Sequence, residues 1–128
     1  MTVPKDMRRR LDYSFLASVG KEWSDIQTVA VATGAGTQQK LITDAAVATA
    51  GGTNVYLMGL QGTLNGAGAI TVESNDGTDI SGAMTLADEG GFTWPPTGSW
   101  YAKSADTQGL ALQATVGTFN GLAQILVV

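Results

Sequence analysis

LALQATVGTFNGLAQILVV, residues 110–128, decides the fold class. Leu110, Leu112, Ala114 and Val116 alternate with Ala111, Gln113 and Thr115, the period of two that marks a half-buried strand. After Gly117 a second strand is predicted over Asn120–Val128. Ala123, Ile125 and Val127 share one of its faces, while Leu122, Leu126 and Val128 line the other, interrupted only by Gln124.

The same grammar extends upstream. Strands are predicted over Ile26–Thr33, Gln39–Ala46, Asn54–Gln61, Gly68–Ser74, Ile80–Ala87, Gly98–Ser104 and Leu110–Val116, with no helical period among them. Between them lie Gly34-Ala35-Gly36, Gly51-Gly52, Asn65-Gly66, Asn75-Asp76-Gly77, Glu89-Gly90-Gly91 and Pro95-Pro96, residues that reverse a chain. About eight short strands at roughly ten-residue spacing predict an all-β protein, a single antiparallel β-sandwich over residues 25–128. In Asn54–Gln61, Tyr56, Met58 and Leu60 read as one face and Val55 and Leu57 as the other, so this strand too is apolar on both sides. A lone sandwich buries one face of each sheet. The surplus apolar face predicts contact between copies of the chain, with Leu57, Leu122, Leu126 and Val128 at the interface.

Composition narrows the chemistry. The 128 residues make one domain, 17 of them are glycine, and only 14% are charged against a usual ~25%. Histidine and cysteine are absent, which removes the commonest general base, thiol nucleophiles, zinc sites and disulfides. No enzymatic activity and no cofactor are expected. No apolar run reaches the ~18 residues of a membrane span, and Leu11–Gly20 is too interrupted for a secretory leader, so synthesis in a cytoplasm and no membrane partner are expected.

Charge is distributed unevenly. Lys5, Arg8, Arg9 and Arg10 against Asp6 make the first ten residues +3, out of a total of −4, so the rest carries −7. An acidic body argues against nucleic acid as a partner. Residues 1–24 lack strand alternation and read as an N-terminal arm, with Asp6 as a candidate cap for a short helix over Met7–Leu16. Arginines beside exposed apolar residues exceed what solubility needs. Lys5, Arg8, Arg9, Arg10, Leu11, Tyr13, Phe15 and Leu16 therefore form a candidate docking segment, for a protein surface ahead of DNA.

Several stretches of Ala50–Val128 carry a family pattern. These are Leu57-Met58-Gly59 followed by Leu64-Asn65-Gly66, and Val72 through Asn75-Asp76-Gly77-Thr78 to Ile80-Ser81-Gly82. Pro96-Thr97-Gly98 before Trp100-Tyr101, and Gly109-Leu110-Ala111-Leu112 before Asn120-Gly121, complete it. The order resembles small trimeric β-sandwich proteins of tailed bacteriophage virions, which decorate heads or form short head fibres and spikes. The resemblance implies a jelly-roll-like fold, a homotrimer and no catalysis. It makes the major capsid protein the expected partner of the arm and the capsid surface the expected location.

Three constellations have competing readings. Glu73, Asn75, Asp76 and Asp79 are the best set of oxygen ligands, but their spacing misses the calcium-loop pattern, and Asn-Asp-Gly between strands reads as a hairpin turn. Asp88 and Glu89, with Asp79 or Asp106, are carboxylates of the kind glycoside hydrolysis pairs, yet they read better as a solvated loop. Trp94, Trp100 and Tyr101 bracket Pro95-Pro96 and offer a glycan-stacking rim, the alternative reading as a carbohydrate-binding or adhesion module of a fibre or spike, and a neck or tail connector using the same fold is a third reading. Against that rim stands Trp94 as a plug closing the core at a sheet edge.

Overall fold

The protein is described from a computed structural model over residues 14–128. Its strands are β1 (Gln27–Thr33), β2 (Gln38–Lys40), β3 (Val55–Asn65), β4 (Gly68–Ser74), β5 (Met84–Leu86), β6 (Gly91–Trp94), β7 (Ala102–Lys103), β8 (Leu110–Ala114) and β9 (Thr118–Val127). They form two antiparallel sheets packed as a sandwich. The first runs β1-β9-β3-β6, with β7 also pairing β3, and the second runs β2-β8-β4-β5. Two short helices complete the described chain, α1 (Ser14–Ser18) and α2 (Asp44–Thr49).

Alternation fills the space between the sheets. Leu57, Leu60, Leu64, Phe119, Ala123 and Ile125 from the first sheet meet Ile70, Val72, Leu110, Leu112 and Ala114 from the second. β3 and β9 pair along nearly their whole lengths, from Val55↔Val127 to Asn65↔Thr118, and form the spine of the first sheet. The chain leaves β3 for β4 in the other sheet through Gly66-Ala67 and returns from β8 into β9 through Thr115–Gly117.

Three expectations change. The strand predicted over Gln39–Ala46 survives only as β2, because Thr43 accepts a hydrogen bond from the Ala46 N–H at 3.1 Å and caps α2. The alanines that follow favour that helix, and Val47 anchors it in the core. β6 occupies a stretch read as turn and plug: Trp94 does pack against the core, from a strand opposite Leu60. The predicted strands Gly98–Ser104 and Ile80–Ala87 shorten to β7 and β5.

The alternation expected in β3 is also broken. The register against β9 shifts between Leu57 and Gly59, so Tyr56 and Met58 point outward whereas Leu57 and Leu60 both point into the core. Gly59 leaves room at this bulge for the Gln124 side chain. A Cβ there would stand 2.5 Å from Gln124 Oε1 and 3.1 Å from the Trp94 carbonyl oxygen.

Candidate interaction surfaces

At one end of the first sheet, Tyr56 and Met58 on β3 and Leu126 on β9 make an outward-facing apolar seat, and α1 lies on it. Leu16 is its plug, 1% exposed, and the Phe15 ring meets Tyr56 edge-on at 4.9 Å. The helix closes with a Schellman pair: the Lys21 N–H donates to the Leu16 carbonyl at 2.8 Å and the Gly20 N–H to Ala17 at 3.2 Å. Gly20 sits at φ +69°, where a side chain is strained. The chain then turns through Trp23–Asp25, held by the Glu22 N–H donating to Asp25 Oδ2 at 2.8 Å, and enters β1.

This arrangement revises the expected arm and interface together. Phe15 and Leu16 pack on their own domain, so the division at residue 24 places part of the folded body in the arm. Lys5, Arg8, Arg9, Arg10, Leu11 and Tyr13 lie outside the described residues, as does most of the helix expected over Met7–Leu16. Of the four residues expected between copies, Leu57 is buried between the sheets and Leu126 beneath α1, both at 0% exposure. The apolar second face at this end is thus satisfied within one chain. Val128 is half-buried beside the seat, and only Leu122 is exposed, at 41%.

Beyond the seat the same face is open. Thr28, Ala30 and Ala32 from β1, Asn120 and Leu122 from β9, Gln61 and Thr63 from β3 and Thr93 from β6 are its exposed side chains. None is ionisable, and no charged residue occurs anywhere in β1, β3, β6 or β9. Leu122 is paired in register with Ala30 on one side and Gln61 on the other. Next to it opens a cavity of about 100 Å³ with Leu60, Trp94, Pro96 and Gln124 in its walls.

The aromatic rim borders this cavity. Trp94 stacks on Tyr101 at 5.1 Å and 19°, and the Tyr101 hydroxyl donates to the Pro95 carbonyl at 2.7 Å. Trp100 meets Tyr56 edge-on at 5.5 Å, and Lys103 Nζ stands 5.7 Å from the centre of the same ring. Trp100 and Tyr101 keep 46% and 38% of their surface exposed. Each nevertheless has one side engaged by its own chain.

The acidic residues serve the loops. Asp44 Oδ1 accepts from the Gly109 N–H at 2.9 Å and from Asn75 Nδ2 at 2.8 Å, which ties α2 to the turn after β4 and the loop before β8. These bonds hold its carboxyl below the usual carboxylate range. Asp76 is lowered likewise, by the Thr78 N–H first and then by the Gln108 side chain. Asn75-Asp76-Gly77 is a turn, with the Gly77 N–H donating to the Ser74 carbonyl at 2.9 Å. Glu73 is buried and accepts from Gln38 Nε2 at 2.6 Å. Glu73, Asn75 and Asp76 thus face separate partners, and among the described residues no three acidic side chains are grouped to hold a metal ion. Asp88 accepts from the Gly66 N–H and Asp106 from Asn54 Nδ2, on separate loops.

Gln39 escaped the sequence reading because nothing in its neighbours marks it. Its side chain accepts from the Ala32 N–H at 2.8 Å and donates to the Ala30 carbonyl at 3.1 Å, filling the outer edge of β1 as a short strand would. The uncharged face, by contrast, had a signal: no Lys, Arg, Asp or Glu lies in 26–39, 54–72 or 107–128.

No family model matches the chain, and no curated protein matches it significantly. Among the described residues no helix is long and apolar enough to cross a membrane.

Proposed function

We propose that this protein is a non-enzymatic structural component of a tailed-bacteriophage virion, a decoration protein that binds the head surface as a homotrimer. The observation that carries the reading is the uncharged outer face of β1, β9, β3 and β6, sealed at one end by α1 and open at the other. Depletion of charge is what distinguishes the centre of a protein interface from ordinary surface. α1 is also where the basic N-terminal residues join the body. The arginine-rich segment that precedes α1 in the sequence is suited to fastening the sandwich onto an acidic protein surface, because guanidinium groups take carboxylates in a bidentate fork. The resemblance over Ala50–Val128 supplies the virion context, with the major capsid protein as partner. The task is mechanical: bridging neighbouring capsid subunits adds buried area where internal pressure tends to part them.

Cryo-EM of undecorated capsids incubated with the purified chain tests this reading. Ordered density at hundreds of equivalent positions is expected. Failure to bind, or density at a dozen or fewer positions near the neck, would overturn decoration. The exposed rings of Trp100 and Tyr101 favour a second reading, a glycan-binding module of a fibre. It ranks lower because Tyr101 already gives one face to Trp94 and its hydroxyl to Pro95.

A further inference from the structure

Residues 14–128 carry three lysines against nine carboxylates, a net charge of −6, yet none of these groups lies on β1, β9, β3 or β6. A partner recognised by charge would be met elsewhere on the molecule. For two copies of an acidic body the requirement is reversed, since they repel wherever both present carboxylates. The face on which neither carries charge is where they can meet, and the identical face of a second copy satisfies that condition by construction.

Shape adds to the argument. Leu122 stands above Ala30 and Gln61, its partners in register, and beside it lies the cavity of about 100 Å³ walled by Leu60, Trp94 and Pro96. Extension of the sheet through β1 is blocked at Ala30 and Ala32 by the Gln39 amide, which leaves the face rather than that edge for association. α1 excludes the seat around Leu126. From these observations we infer that copies of this chain pack the open part of the first sheet around the symmetry axis of the homo-oligomer, with Leu122 as the central apolar contact. The inference rests on the homo-oligomer in the proposed function and adds its surface.

Light scattering and sedimentation equilibrium on the full chain should give an oligomer across the micromolar range. Leu122→Asp should weaken it by at least about 100-fold, because a carboxylate at an apolar contact loses its hydration without gaining a partner. The fold should survive, as Leu122 is 41% exposed. Ala30→Lys on the adjacent strand is the second probe should the first variant not fold. Since the chain has no cysteine, Leu122→Cys gives a clean third test, with disulfide-linked pairs expected on mild oxidation. Unchanged association of a folded Leu122→Asp or Ala30→Lys variant, or absence of linked pairs, would overturn the surface and leave self-association standing. A monomeric full chain would overturn both. A monomer whose capsid binding is abolished by Leu122→Asp would assign the face to the capsid instead, and would also overturn this inference.

Discussion

The two ends of one sheet face differ in what covers them. At the α1 end, Met58 and Leu126 are outward-facing yet 0% exposed, because Leu16 of the same chain lies over them. At the other end, Leu122, only four residues before Leu126 on the same strand, is 41% exposed with none of the described residues covering it. An apolar residue on the outer face of a strand therefore does not by itself mark an interface. What marks it is whether the chain supplies its own cover.

The contrast breaks most sharply with charge. Leu126→Asp should cost several kcal/mol, about 3 or more, or abolish folding, since the seat offers the carboxylate neither water nor a partner. Leu122→Asp should leave urea unfolding of the dissociated chain within about 0.5 kcal/mol. Equal losses in the two variants would erase the distinction between the covered and open ends.

Next in size is the cover itself. Leu16→Ala should lower stability by about 2–4 kcal/mol in urea titrations, the range for truncating a buried leucine. Deleting residues 1–20 should lower it further and expose Tyr56, Met58 and Leu126 to dye binding. A deletion as stable as the full chain would mean that α1 contributes nothing to the fold.

A smaller effect sharpens how the cover is held. Gly20→Ala should cost about 1 kcal/mol, because the Schellman closure needs a left-handed residue there, and the loss should vanish in a chain lacking residues 1–18.

The smallest effect concerns acid and should spare the comparison entirely. Asp44 and Asp76 have carboxyls held below the ordinary aspartate value of 3.8, so their hydrogen bonds contribute stability that is present above that value and lost as pH falls through the lower folded-state values. Melting temperature should fall slightly below about pH 4, and Asp44→Asn should flatten part of that slope. Both groups lie at the surface, where solvent screening keeps the contribution small.

Much of this was legible from local signals. Gly68–Ser74 is bounded as the alternation predicts, and β1, β8 and β9 lie within a residue or two of their expected limits. α2 also had a signature, Thr43 before an alanine run and Gly51 after it, but six residues are too few for a helical period to stand out. β3 misled for a different reason. Strict alternation assigns Leu60 to the face of Tyr56, and one bulge at Gly59 reverses the assignment for every residue beyond it.

The sequence by itself determined the all-β class, most strand positions, the absence of histidine and cysteine chemistry and the neutrality of β1, β3, β6 and β9. Those properties follow from residue identity and short-range periodicity. Only the tertiary structure decided which of the outward-facing leucines is covered. Leu16 and Leu126 are 110 positions apart, and their contact depends on the Gly20 turn, the path through Trp23–Asp25 and the pairing of β9 with β3 acting together. No periodicity within a strand carries that information, because burial is a property of the surfaces that meet and not of the residues alone.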